Sequence, residues 1–246
     1  MARQLWKFEE THRWVRAVSH NVTVAESKNP MILIESQGEQ DYYFAKADVR
    51  EDLLVPSTHQ ESSGYRGLKR FWHLKANGHT IENAAWSYMP KENRPNLSNY
   101  IAFDWKKMDH WYEETEEVFY HARNPYHRVD FINSERHVVV QVDGVKVAET
   151  NTPLLVFETT LTPRIYIPQS DVDRTYLTPN ALQTHCPYKG DASYYSIEIH
   201  GKTYENAVWY YPNPIPEAPR LKGTMAFWPE KDQQIQLIVD GEPFPK

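Results

Sequence analysis

Arg136-His137-Val138-Val139-Val140-Gln141-Val142 runs into Asp143-Gly144 and out again as Val145-Lys146-Val147-Ala148-Glu149. Two runs rich in β-branched residues, joined by Asp-Gly, are the strongest short-range signature of a β-hairpin. A two-residue turn that follows the strand twist needs positive φ at both central residues, which Asp and Gly tolerate. The pattern continues downstream. Leu154-Leu155-Val156-Phe157-Glu158, Arg164-Ile165-Tyr166-Ile167, Tyr194-Tyr195-Ser196-Ile197-Glu198-Ile199 and Ala207-Val208-Trp209-Tyr210-Tyr211 read as strands, and His200-Gly201 as a turn. Ile235-Gln236-Leu237-Ile238-Val239 followed by Asp240-Gly241 closes the series. Only residues 170–177 read as a helical turn, with Ser170 and Asp173 spaced as a capping box. Short strands separated by Pro and Gly turns predict a mainly β unit, a sandwich or barrel with few short helices.

The same unit is written twice. Laid on itself at an offset of 123 residues, the sequence keeps one register from Arg13 to Pro90, with Pro30 on Pro153, Tyr43 on Tyr166 and Gly67 on Gly190. Glu82-Asn83-Ala84-Ala85-Trp86-Ser87-Tyr88 falls on Glu205-Asn206-Ala207-Val208-Trp209-Tyr210-Tyr211, and after a one-residue shift Ala102-Phe103 meets Ala226-Phe227. Repeats this long indicate paired domains rather than a solenoid. The expected division is 1–125 and 126–246.

Composition narrows the function. The 246 residues are 40% hydrophobic and 13% aromatic, enough to build packed cores, which excludes intrinsic disorder. The net charge of −6, with scattered basic residues, argues against nucleic acid and acidic membrane surfaces as partners. No apolar run reaches the ~20 residues of a membrane span. The single cysteine excludes an internal disulfide framework, and with dispersed histidines it supplies no zinc-type ligand set. The expectation is a soluble, cytoplasmic protein whose partner is a small molecule or another protein. No metal or cofactor is expected, and a homo-oligomer is left open.

The most unusual segment is Thr184-His185-Cys186-Pro187-Tyr188-Lys189-Gly190-Asp191, read as a loop that gathers His, Cys, Lys and Asp before a strand. The first copy has Glu61-Ser62-Ser63-Gly64-Tyr65-Arg66-Gly67 there, keeping the Tyr, a basic residue and the Gly while losing His, Cys and Pro. A motif needed for folding should survive in both copies, so the second copy is expected to carry the working site. Asn124-Pro125-Tyr126-His127-Arg128-Val129-Asp130 places Arg128 and Asp130 on one side of an extended segment, suited to clamping a ligand or to a salt bridge. Arg164 and Tyr166, and Trp209 and Tyr211, share the same period of two. They offer aromatic walls with a polar tip, the lining of either a core or a pocket.

On these residues the chain resembles the domain-of-unknown-function 427 family. The resemblance is carried by Arg136-His137-Val138, Leu155-Val156-Phe157-Glu158-Thr159, Arg164-Ile165-Tyr166-Ile167-Pro168, Asp171-Val172 and, most specifically, Cys186-Pro187-Tyr188-Lys189-Gly190. It covers most of 126–246, and 13–105 more weakly, so the chain looks like a tandem member. It implies a compact β-complex domain akin to translationally controlled tumour protein, and brings no established reaction. Some members carry a nucleotidyltransferase label, a chemistry that needs a Gly-Ser turn and spaced carboxylates. Here Gln169-Ser170 precedes Asp171-Val172-Asp173, and the first copy has Asp48-Val49-Arg50.

Two functions follow as expectations. In one, the protein is a cofactor-independent enzyme on a small organic molecule, performing proton transfer of isomerase, cyclase, dehydratase or lyase type. Glu158, Lys189 and His185 would supply acid and base. Arg164 and Arg128 would hold an oxyanion, and His127, Asp130, Tyr166, Tyr188, Trp209 and Tyr211 would shape the site. A Lys189 Schiff base is a variant of this reading. In the other, the aromatic cleft binds a metabolite or partner protein without chemistry.

Overall fold

The structure is a computed structural model describing residues 6–35, 40–63, 66–91 and 96–244, without the side chains of Trp6, Glu35 and Ser63. The chain divides into two units, residues 1–124 and 125–246. Unit 1 contains β1 (Trp6–Glu10), β2 (Val15–Ser19), β3 (Val22–Ser27), β4 (Met31–Glu35), β5 (Asp41–Ala45), β6 (Leu54–Ser63), β7 (Gly67–Ala76), β8 (His79–Tyr88), β9 (Tyr100–Phe103), β10 (His110–Glu113) and β11 (Glu116–Val118). Unit 2 contains β12 (Val129–Asn133), β13 (Val138–Val142), β14 (Val145–Thr150), β15 (Leu154–Glu158), β16 (Arg164–Pro168), β17 (Leu177–Cys186), β18 (Gly190–Ile199), β19 (Lys202–Tyr210), β20 (Thr224–Phe227), β21 (Ile235–Val239) and β22 (Glu242–Phe244).

Each unit has a seven-stranded and a four-stranded antiparallel sheet. The orders are β1-β4-β5-β9-β8-β7-β6 with β11-β10-β2-β3, and β12-β15-β16-β20-β19-β18-β17 with β14-β13-β21-β22. The duplication is therefore structural, strand for strand. Both copies are mainly β, and among the described residues the only helix is short 3₁₀ turns. Among the described residues no helix is long and apolar enough to cross a membrane.

Local chemistry explains the hairpins. His20-Asn21, Asn77-Gly78, Asp143-Gly144, His200-Gly201 and Asp240-Gly241 all have positive φ at both turn positions, the geometry of the type I′ turn. Alternation then assigns the faces. In unit 2, Val138, Val140 and Val142 meet Ile165, Ile167, Ile197, Val208, Phe227 and Leu237 in the core shared by the two sheets. Tyr166, one residue out of phase with Ile165 and Ile167, lies in a second cluster with Leu154, Val156, Ala192, Tyr211 and Leu221. Unit 1 has the counterpart cluster of Leu33, Tyr43, Phe71, Trp86, Tyr88, Leu97 and Ala102.

Two local expectations are corrected. Residues 170–177 form not one helical turn but two 3₁₀ turns, Gln169–Asp171 and Arg174–Tyr176. The capping box does not close: Ser170 Oγ donates to its neighbour Asp171 at 2.9 Å, and Asp173 caps the second turn by accepting from the Thr175 N–H at 3.0 Å. The segment 184–191 is not a loop either. β17 runs through Cys186 and β18 begins at Gly190, leaving only a tight turn between them. Pro187 falls in the turn itself, where it removes no ladder hydrogen bond, and His185 pairs in register with Asp191 across the hairpin.

Candidate functional site

Glu158 is the last residue of β15 and pairs in register with Val129 of β12. Its side chain is only 9% exposed, and a lysine and a histidine meet on it. Lys189, the last residue of the β17–β18 turn, forms a salt bridge to Oε2. His127, just before β12, places Nε2 2.9 Å from Oε1 and stacks its ring on Tyr188 with centroids 4.2 Å apart. Burial is the largest single influence on Glu158 and pushes its carboxyl up. Lys189 and His127 act against it, and the net result lies below the ordinary glutamate value. The carboxylate is thus ionised and fully engaged.

The turn is rigid for a visible reason. Gly190 has φ +105°, and a Cβ there would lie 3.3 Å from both Asn213 O and Ile215 N. The Ile215 N–H donates to Lys189 O at 3.1 Å, tying the covering segment to the turn. Cys186 is held in the same place: burial pushes its thiol up, only partly offset by Lys189 and by the backbone N–H groups of Tyr188 and Lys189. Trp209 Nε1 donates to Tyr166 Oη at 2.9 Å, and burial pushes the phenols of Tyr166 and Tyr211 well above the ordinary tyrosine value.

The structure therefore brings Glu158, Lys189, His127 and Tyr188 together, and puts Tyr166, Trp209 and Tyr211 in one apolar cluster. The remaining candidates have other partners, although the Arg164 guanidinium also lies over the Trp209 ring, 5.9 Å from its centroid. His185 Nδ1 lies 2.8 Å from Asp191 Oδ1 on an exposed stretch of hairpin. Arg164 donates to Glu230 at 2.6 Å, and Arg128 to Asp130 at 2.7 Å. The carboxylate–cation pair itself is written in both copies: Glu35 and Arg66 stand at the positions of Glu158 and Lys189.

Sequence reasoning missed a second constellation. In unit 1 a cleft of about 390 Å³ is lined by Asp41, His59, Glu61, Lys69, Phe71, Trp86, Asp104 and Trp105, among others. Lys69 Nζ lies 4.0 Å from the Trp86 ring centroid and 4.6 Å from that of Phe71. It pairs with Glu61, whose Oε2 is 3.8 Å away, and Glu61 Oε1 lies 3.1 Å from His59 Nε2. Glu61, one of the residues that replace the second copy's motif, faces this cleft, whereas Gly64 and Tyr65 lie outside the described residues. The available signal was the pairing of copies: Asp41, Glu61 and Lys69 align with Arg164, Thr184 and Ala192. A groove of about 420 Å³ in unit 2, lined by Ile235, Leu237, Ile238 and Phe244 among others, includes none of the candidate site residues.

A family model described as a domain of unknown function (DUF427) matches residues 7–114 and, separately, 130–241. No curated protein matches the chain.

Proposed function

The chain belongs to the DUF427 family, in two tandem copies, and we propose that it is a small-molecule-binding protein whose ligand enters the cleft of the first copy. The cleft carries this reading. Its volume is in the range of ligand sites, and it combines aromatic walls at Phe71 and Trp86 with a few polar groups at Asp41, Glu61 and Lys69. The scattered basic charge speaks for a small molecule over nucleic acid. The single cysteine fits a cytoplasmic setting. Soaking crystals with a library of small aromatic and carboxylic compounds tests it: density in the cleft beside Lys69 and Trp86 is expected, and bound compounds found only elsewhere refute it.

One observation favours a second reading, a cofactor-independent proton-transfer enzyme in the second copy. Glu158 accepts from His127 and so orients the ring, leaving Nδ1 as the nitrogen able to take a proton, the arrangement by which a carboxylate positions a histidine base. In this reading His127 moves the proton, Glu158 is a positioning residue, and Lys189 balances its charge. His185 pairs with Asp191, and Arg164 pairs with Glu230 while lying over the Trp209 ring, so neither meets Glu158 in this reading. Turnover lost in His127→Gln and retained in Lys69→Met would favour this reading over the first.

A further inference from the structure

We propose that Lys69 is an amine nucleophile that captures a small aromatic or unsaturated aldehyde or ketone in the first copy's cleft as a reversible imine. The inference rests on the binding reading above and names the chemistry of its ligand.

Lys69 differs in its surroundings from Lys189, Lys107, Lys146, Lys202 and Lys231, the last of which also lies over a ring, 5.4 Å from the Trp228 centroid, but on exposed surface. Lys189 is locked to Glu158, Lys107 donates to the carbonyls of Glu82 and Asn83 at 2.9 and 3.2 Å, and Lys146 and Lys202 pair with Glu149 and Asp143 on exposed surface. The Lys69 side chain is 19% exposed and rests on two ring faces, with its recorded ion pair too long for a hydrogen bond. Burial is the largest influence on its amine and lowers it. Glu61 and Asp41 oppose that, and the net direction is downward. The two ring faces attract the ammonium form, but burial outweighs the stabilising charges and the net direction is toward the free amine that a nucleophilic lysine needs. The rings of Phe71 and Trp86 select a flat carbon skeleton.

The chemistry balances without any further reagent. The neutral amine forms a C–N bond to the carbonyl carbon as the carbonyl π pair moves to oxygen. The nitrogen then gives up a proton and the oxygen gains one, yielding a carbinolamine. Loss of that hydroxyl, with a second proton, releases one water and leaves C=N. The hydrogen-bonded His59–Glu61 pair, 3.8 Å from Nζ through Glu61, is placed to relay these protons.

The test treats the full chain with benzaldehyde and cyanoborohydride at pH 7 and maps the reduced adduct by peptide mass spectrometry. Adduct at Lys69 is expected to form at least tenfold faster than at any other lysine, and Lys69→Arg is expected to remove that fast phase while the thermal transition stays in place. Adducts spread evenly over exposed lysines, with Lys69 no faster than the rest, overturn the proposal. Benzyl alcohol, which has the same skeleton but no carbonyl, separates the two claims. If it perturbs the Trp86 indole NMR signal and Lys69 still gives no fast adduct, binding stands and imine formation falls. If it leaves that signal unmoved and no fast adduct forms, both fall.

Discussion

Lys69 and Ala192 occupy the third position of corresponding strands, β7 and β18, yet the first lies over Trp86 in a cleft and the second is 2% exposed within an apolar cluster. One fold thus carries an open charged surface in one copy and a closed one in the other. The residue types of the Glu158–Lys189 pair recur in the sequence of the first copy at Glu35 and Arg66, as expected of residues kept for folding.

That contact makes a stability prediction. Glu158→Gln leaves Lys189 and His127 without their shared anion, and should destabilise unit 2 by about 2 kcal/mol, below the ~3–5 kcal/mol of a fully buried broken pair because the lysine tip is partly solvated. Urea denaturation of the wild-type and variant chains measures it. A loss under ~0.5 kcal/mol would place the pair among surface ion pairs.

The same group sets a pH dependence. The Glu158 carboxyl is lower in the folded state than in the unfolded chain. Its contribution to stability is therefore fully present above the ordinary glutamate range and is lost as pH falls through the lower folded value. Urea midpoints taken from pH 7 down to pH 3 should drop more steeply for the wild type than for Glu158→Gln. Parallel profiles would contradict this.

The two turn glycines separate conformation from crowding. Gly67 and Gly190 both have φ near +100°, but a Cβ at Gly67 finds nothing nearer than 3.6 Å, whereas at Gly190 it meets backbone atoms at 3.3 Å. Each alanine variant should lose about 1–3 kcal/mol from the strained φ, with Gly190→Ala the more damaging. Equal losses in thermal denaturation would mean that the covering segment at Asn213 and Ile215 gives way freely.

Cys186 should be a slow thiol. Burial raises it despite the nearby Lys189, so alkylation by iodoacetamide at pH 8 should be about tenfold slower in the folded chain than after unfolding in urea. Equal rates would contradict the burial described here.

The doubled β architecture was legible because strand length and turn chemistry are local: Asp143-Gly144 and Asp240-Gly241 announce their hairpins, and the offset of 123 residues survives because both copies need the same strand lengths. The candidate site was legible only in part. Glu158, Lys189 and His127 were all singled out, but period-two spacing could not reveal that Arg128 would turn to Asp130, or Arg164 to Glu230 sixty-six residues away. The cleft stayed hidden because Asp41, Glu61, Lys69, Trp86 and Asp104 come from five separate segments that only the sheet order brings together. In the sequence Glu61 marks only a departure from the second copy's motif, which says nothing of a cleft.

The most direct measurement is a ligand titration followed by NMR, with the Trp86 and Trp209 indole N–H signals assigned by substitution. The first compound found to raise the melting temperature should shift the Trp86 signal saturably and leave Trp209 in place, and Lys69→Met should abolish the shift. A compound that binds while moving only Trp209 and the His127 ring would contradict the account and return the working site to the second copy.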